Sequence, residues 1–448
     1  MSFKGSAFRK VARGSVVSDF LASLPKLTIV SKSALAVFLV LILTASSFAA
    51  TVSPRRYSSS NKKVSENPKA QKRISRLKHS RPVASKTVAR SKKSSKKASA
   101  RKSSVRKRAS KRRYYERFSA SSFVNDDQTS GDITAGEDPV VRQAAIDALG
   151  NMNGTIVAID PDSGRVLTMV NQKLALSEGA QPCSTIKVAV ALAALSEGIV
   201  KSDTKVSLGR TWKMNLTQAL AHSNNAYFEA LGRRMGFEKV RHYANQYGLG
   251  EMAGWNIEGE HLGTYPNEVL AAKLGGVGKM CSFGESVSMT PLQLGALVAS
   301  IANGGTLYYM QHPTSPDEIA NFQPKVKRYL DIAPLIPEVM PGMAGAVNYG
   351  TARSLRGNFS EEEVLGKTGT CSKDGTRFGW FASYANTQYG RVVTVVFLRG
   401  GRPTFGPKAA EVAGRMYRTL YDHSFFAGKS PVTPVRDTAG SSAVGARQ

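Results

Sequence analysis

The sequence predicts an α+β domain built on a mainly antiparallel sheet, and three observations point there. A strand–turn–strand pattern opens the ordered part of the chain at 154–170, and three strand-like runs close it at about 364–371, 378–385 and 391–399. Between them the apolar residues recur at helical spacing. Strands at both ends of a domain, with helices between, fit one sheet with helices packed on it.

The 448 residues carry a net charge of +30, but the charge is not evenly spread. Segment 55–113 holds 24 Lys and Arg against one acidic residue, Glu66. From residue 114 onward the chain is close to neutral. The basic character therefore belongs to a tail and not to a folded core. Residues 1–33 form an N-terminal segment expected in the cytoplasm. Residues 34–54 are uncharged and centred on Ala34-Leu-Ala-Val-Phe-Leu-Val-Leu-Ile-Leu43, long enough for a membrane anchor of about 20 residues. Ser47-Phe-Ala-Ala50 also resembles a cleavage site, so a signal segment is the alternative. Residues 55–138, rich in Lys, Arg and Ser, lack the apolar surface to fold and read as a disordered linker. Its composition raises nucleic-acid binding as a rival to the linker reading, with nucleic acid the weaker expectation behind a membrane segment. The folded domain is expected over 139–428 and a loose tail over 429–448.

Within the domain each element has its own signal. Pro161-Asp-Ser-Gly164 is a turn between Gly154–Asp160 and Arg165–Val170, which makes a hairpin. An apolar run at 185–197 reads as a helix, with Gly198 as its stop signal. Thr290-Pro-Leu-Gln293 is a capping box with proline at the first helical position. Ala410, Ala413, Tyr417 and Leu420 share one face of a last helix.

Chemistry enters at Pro182-Cys-Ser-Thr-Ile-Lys187, where Ser184 stands three residues before Lys187. Residues three apart share a helix face, so Lys187 could take the proton of Ser184 and make it a nucleophile. The bland reading is that Ser184 caps the helix. The spacing alone decides nothing, because Ser59/Lys62, Ser75/Lys78 and Ser99/Lys102 show it in the basic tail. Two further clusters give it context: Ser223-Asn-Asn225, placed on a loop, and Lys367-Thr-Gly-Thr370, on a strand. His222 beside Ser223 invites a triad, although a solvent-facing loop histidine fits better, since Lys187 already fills the place of a base.

S-x-x-K, S-x-N and K-T-G-T in this order form the set used by penicillin-binding proteins and serine β-lactamases. Phe283-Gly-Glu-Ser-Val-Ser-Met-Thr-Pro-Leu-Gln-Leu294 and Ile301-Ala-Asn-Gly-Gly305 resemble the segment that these transpeptidases carry between the last two motifs, and Asp160-Pro-Asp-Ser-Gly-Arg-Val-Leu167 resembles their opening hairpin. Over about residues 140–425 the chain resembles a penicillin-binding protein transpeptidase domain of class B type, without the usual pedestal. The resemblance implies a β-lactamase/transpeptidase-like fold, in which a five-stranded antiparallel sheet flanked by helices sits beside an all-helical lobe. It implies D,D-transpeptidation of peptidoglycan stem peptides, or D,D-carboxypeptidation, through an acyl-enzyme on Ser184 that β-lactam antibiotics also form. Lys187 would be the base and Ser223 the proton relay. Asn225, Lys367, Thr368, Gly369 and Thr370 would bind substrate, with the backbone N–H groups of Ser184 and Thr370 as the oxyanion hole. No cofactor or metal is called for.

The resemblance also implies a partner, a separate glycan polymerase. Since wall peptide lies outside the cell, it implies a single-pass protein of the cytoplasmic (inner) membrane with its domain on the periplasmic or extracellular side. The cations just past the apolar run, Arg55, Arg56, Lys62 and Lys63, argue the other way by the positive-inside tendency. Cys183 and Cys371 stand where class A carbapenemases carry a disulfide, which an oxidising compartment would permit, two small buried thiols being the alternative. The rival functions are a class D-like serine β-lactamase and a penicillin-sensing or non-catalytic wall-binding protein.

Overall fold

The computed structural model describes residues 118–387 and 390–427. The expected N-terminal segment, the membrane anchor, the basic stretch 55–117 and the tail 429–448 lie outside the described residues. Among the described residues no helix is long and apolar enough to cross a membrane.

In chain order the main elements are helix α1 (Pro139–Leu149), strands β1 (Gly154–Ile159) and β2 (Val166–Val170), and helices α2 (Lys187–Ser196), α3 (Leu216–Ala221), α4 (Asn225–Met235) and α5 (Phe237–Gln246). Helices α6 (Gly276–Phe283), α7 (Pro291–Ala302) and α8 (Ile336–Asn348) follow, then strands β3 (Glu363–Lys373), β4 (Thr376–Thr387) and β5 (Gly390–Gly400), and helix α9 (Gly406–Asp422). The long strands form one antiparallel sheet in the order β2-β1-β5-β4-β3. The first hairpin therefore pairs with the last strand, and β3, which carries Lys367, is an outer strand.

The alternation of side chains along each strand divides the core in two. On one face Val157, Ile159, Trp380, Ala382, Val393 and Val395 pack against α7 and share one core with α2 and α4. On the other, Ile156, Ala158, Phe381, Val392 and Val396 meet α1 and α9. Because both faces are covered, β1 and β5 read in sequence as unbroken apolar runs and not as alternation. The capping box that opens α7 forms as its sequence predicts. Thr290 Oγ1 accepts from Gln293 N, and Gln293 Oε1 accepts from Thr290 N.

The ordered domain starts earlier than the expected boundary at 138. Residues 118–138 run along the sheet and are fastened to it. Ser119 N donates to Arg402 O at 2.7 Å, and Ser122 Oγ lies 2.9 Å from Thr404 Oγ1. Asp132 accepts from Gln172 N and pairs with Arg142, while Glu137 accepts from Thr168 Oγ1 and Met169 N. This stretch is held by polar partners far along the chain, so its low apolar content misleads a reading by composition.

Candidate active site

The turn before α2 is shaped for Ser184. Cys183 has φ +53°, and Cys183–Ile186 form a 3₁₀ turn that runs into the α-helix at Lys187. Thr185 Oγ1 donates to Pro182 O at 2.6 Å and braces that turn. The N-cap position of α2 is Ile186, without a side-chain cap, so Ser184 is not a helix cap. In a 3₁₀ turn residues i and i+3 eclipse. Ser184 Oγ and Lys187 Nζ accordingly lie 2.9 Å apart.

Lys187 is fully buried, and its nitrogen meets more oxygen than it can serve. Ser223 O lies at 2.8 Å, Asn225 Oδ1 at 2.6 Å and Ser223 Oγ at 3.1 Å. Of these, the peptide carbonyl and the amide oxygen can only accept. A neutral amine has two N–H bonds, one for each of them, and its lone pair is left for a hydroxyl proton. Electrostatics favours that neutral form. Burial first, and the positive charge of Lys367 second, push the Lys187 ammonium down to about 6, against an opposing pull from Glu229. The arrangement can therefore hold an unprotonated amine against a serine hydroxyl near neutral pH.

Lys367 approaches from β3 and is 1% exposed. Its Nζ donates to Ser223 Oγ at 2.8 Å and to Thr368 O at 3.0 Å, and burial pushes its ammonium down to about 7. Ser223 sits at φ +54°, a left-handed conformation that is uncommon for a residue with a Cβ. Such strain clusters at functional sites. The cluster expected on a loop is divided: Ser223 is in the turn, Asn224 caps α4 by accepting from Tyr227 N, and Asn225 is the first helical residue. One asparagine orders the helix and the next reaches Lys187.

Thr368 and Thr370 point to the opposite face of β3 from Lys367, as strand alternation requires. Thr368 Oγ1 lies 2.6 Å from Thr351 Oγ1, and Thr370 Oγ1 accepts from Gly406 N at 2.8 Å. Sequence reasoning missed Thr351 and Gly406, which belong to no motif and reach the strand only through the fold. Gly369 is required by contact. A Cβ there would lie 2.8 Å from Pro182 O and 3.1 Å from both Thr185 Cγ2 and Trp380 Cβ. The glycine thus lets β3 lie directly on the Ser184 turn. A disulfide between Cys183 and Cys371, with Cα atoms 5.6 Å apart, ties the same two segments. Trp380 Nε1 adds a bond to Gln181 O at 3.0 Å. Cys281 is free and buried. His222 is exposed beside Tyr349 and makes no contact with Ser184 or Lys187, so the site has no triad.

Three motifs far apart in sequence therefore meet around one hydroxyl, and comparison with known proteins agrees with this geometry. The chain is 29% identical over 261 residues to stage V sporulation protein D of Bacillus subtilis, covering 48% of this chain and 39% of that protein. It is 26% identical to the peptidoglycan D,D-transpeptidase PbpA of Mycolicibacterium smegmatis over 63% of this chain and 70% of the relative. It is 24% identical to the peptidoglycan D,D-transpeptidase MrdA of Acinetobacter baumannii, over 66% of this chain and 54% of the relative. Pseudomonas aeruginosa PBP2, solved in complex with WCK 5153, shares the fold at a TM-score of 0.53 and 23% identity, over 64% of this chain and 74% of that one. The profile of the penicillin-binding protein transpeptidase domain matches residues 154–420, more than half of the chain. The chain belongs to the penicillin-binding protein transpeptidase domain family.

Proposed function

We propose that the chain is a penicillin-binding serine D,D-transpeptidase that cross-links peptidoglycan stem peptides through an acyl-enzyme on Ser184. The observation that carries this reading is the 2.9 Å approach of Ser184 Oγ to a buried Lys187 Nζ whose two N–H bonds already have acceptors.

The neutral Lys187 takes the Oγ–H proton while Oγ attacks the carbonyl between the two terminal D-alanines. The N–H groups of Ser184 and Thr370 hold the oxyanion that develops, a contribution typically worth ~3–4 kcal/mol. Lys367, as an ammonium, grips the terminal carboxylate. Although the two threonines leave β3 on the face opposite Lys367, β3 is an outer strand, so a carboxylate seated along its edge is within reach from both faces. Thr370 accepts from Gly406 N, which leaves its own O–H free to donate to that carboxylate, and Thr368 joins through its hydroxyl. As the intermediate collapses, the proton on Lys187 passes through Ser223 Oγ to the departing amine of D-alanine, and an ester on Ser184 remains. An acceptor amine then attacks the ester carbon. Its proton returns by Ser223, and Ser184 leaves with the proton held on Lys187. Asn225 keeps Lys187 in place throughout and reaches the donor's amide side. With water as the acceptor the same site would act as a carboxypeptidase.

Penicillin fits this chemistry because its lactam carbonyl mimics the scissile peptide and its carboxylate the terminal one. We infer also that the apolar run at 34–54 anchors the chain in the cytoplasmic membrane with the domain outside, where wall peptide is found. The 55–117 stretch then serves as a spacer on that outer side. The glycan strands come from a partner polymerase, since the acyl-transfer motifs are all that the matched stretch carries. Mass spectrometry of the purified protein with a stem peptide, with and without an acceptor amine, tests the activity. An acyl-enzyme on Ser184 and an amine-dependent dimer are expected, whereas hydrolysed peptide alone would make it a carboxypeptidase. Protease added to intact spheroplasts should remove the domain, and complete protection would overturn the topology.

A further inference from the structure

The turn that carries Ser223 and the strand that carries Lys367 are joined by a third segment, which belongs to none of the motifs. Thr351 N donates to Ala221 O at 3.1 Å, and Thr351 Oγ1 lies 2.6 Å from Thr368 Oγ1. Residues 349–351 thus bridge the turn that carries Ser223 and the strand that carries Lys367. Gly350 makes this possible, because a Cβ there would lie 2.1 Å from Ala221 O. The close approach sets Tyr349 beside His222, with ring centroids 5.7 Å apart and the planes tilted by 53°. Tyr349 is 53% exposed and His222 is exposed as well. Among the described residues neither ring has a hydrogen-bond partner, and neither belongs to the core. Two aromatic rings thus stand exposed beside a site whose two lysines are buried and whose Ser223 and Asn225 are half-buried, the hydroxyl end of Tyr349 lying along α8 at Gly345.

We propose that His222 and Tyr349 seat the acceptor strand, the peptide whose free primary amine attacks the acyl-enzyme. The proposal rests on the transpeptidase reading above. In that reading Lys367 and the two threonines hold the carboxylate of the leaving D-alanine, so the leaving residue lies at this end of the cleft. Ser223 hands a proton to the leaving amine and must receive one from the arriving amine, so both amines occupy the same place beside Ser223. The strand bearing the arriving amine then lies on the neighbouring wall, which His222 and Tyr349 form. Rigid rings give apolar contact to an aliphatic amine-bearing chain at low entropic cost. Their faces also attract the ammonium before it loses its proton. The step balances: the amine nitrogen bonds to the ester carbon, the Ser184 C–O bond breaks, and the amine proton moves to the lysine–serine relay.

Partitioning of the acyl-enzyme is the test. The full chain is given a stem-peptide donor with blocked amines and a second stem peptide with one free side-chain amine, and dimer is measured against hydrolysed donor. Tyr349→Ala and His222→Ala should each lower that ratio about three- to tenfold, the size of one lost ring contact, at an unaltered rate of penicillin acylation. Tyr349→Phe keeps the ring and should keep the ratio. An unchanged ratio in both alanine variants would overturn the proposal. So would a fall in penicillin acylation matching the fall in dimer, since that would place the pair on the donor side. A wild type that takes up no penicillin would sink the transpeptidase reading itself, a distinguishable result.

Discussion

Ser223 Oγ lies within hydrogen-bond distance of two lysine nitrogens at once, 3.1 Å from Lys187 Nζ and 2.8 Å from Lys367 Nζ. Both ammoniums are pushed below their ordinary range, to about 6 and about 7, by burial in each case, with the charge of Lys367 adding to the effect on Lys187. Groups this close titrate as a pair, and what a rate profile reports belongs to the pair. The proposed chemistry needs Lys187 neutral and Lys367 charged. Acylation should therefore rise with pH through about 6 as Lys187 loses its proton, and fall at or above about 7 as Lys367 loses its own. A bound carboxylate favours the charged Lys367 and widens the alkaline side, so the profile of kcat should extend higher than that of kcat/KM. Lys367→Arg keeps a cation at every working pH and should remove the alkaline limb while acylating more slowly. A flat profile from pH 5 to about 9 would contradict this account.

Ser184→Ala separates a nucleophile from a cap. An N-cap serine lost to alanine typically costs ~1 kcal/mol. Ser184, however, lies in the 3₁₀ turn ahead of the helix, and although its carbonyl accepts from the Lys187 N–H, its side chain accepts no bond from α2 backbone. The variant should lose all labelling by fluorescent penicillin and keep its melting temperature to within a few degrees. Lys187→Ala should also lose labelling, by removal of the base. Equal labelling of wild type and Ser184→Ala would end the acyl-enzyme reading, and turnover without a lasting adduct would favour a β-lactamase.

The contact between β3 and the Ser184 turn predicts a further loss. In Gly369→Ala the new methyl must displace Pro182 O or Thr185 Cγ2, both of which belong to the nucleophile's turn. Misplacement by about 1 Å costs on the order of 10²-fold in rate. Acylation by penicillin should fall by about that factor. The disulfide makes a separate contribution. Cys183 and Cys371 are 188 residues apart in sequence, and closing so long a loop is worth up to ~5 kcal/mol in the chain-entropy account. Cys371→Ser should lower the melting temperature, and a reductant should lower it in wild type and not in the variant. Thermal melts with and without dithiothreitol check this.

Much of this site is legible in the sequence, for a physical reason. A strand that packs on a turn must carry glycine, a base must stand one turn from its serine, and both needs leave short fixed spacings such as Ser184–Lys187 and Lys367–Gly369. The strands show as apolar runs because the sheet is covered on both faces, and the capping box of α7 is entirely local. What the sequence does not show is whatever depends on distant partners. The Thr351–Thr368 contact, the Gly406 bond to Thr370 and the His222–Tyr349 pair each join segments with no shared spacing. The apolar run at 185–197 likewise shows a helix but not that its first residues, with Cys183 and Ser184, form a 3₁₀ turn ahead of Lys187. The largest miss is the start of the domain, where acidic side chains do the fastening.

That start yields the last prediction. Glu137 has a side chain 1% exposed, and burial alone would push its carboxyl up. Hydrogen bonds from His312, Thr168, the Met169 N–H and Arg142 overcome this and hold it below the usual range. Asp132 likewise ties Arg142, Asn171 N and Gln172 N. A fragment starting at residue 139 would lose both carboxylates and leave the side chain of Arg142 and the N–H groups of Met169 and Gln172 without their partners. Breaking one buried pair by removing one partner costs ~3–5 kcal/mol, a large part of the ~5–15 kcal/mol that holds a domain together. Residues 118–428 should therefore give a soluble, penicillin-acylated domain with a cooperative melt, and 139–428 should aggregate or melt far lower. Glu137→Gln in the longer fragment tests the carboxylate alone. It should lower the melting temperature at pH 7, and the gap to wild type should close only as the pH falls below the ordinary carboxylate range, where the native carboxyl, held low by its partners, takes up a proton. Equal melts for the two fragments would return the domain boundary to residue 139.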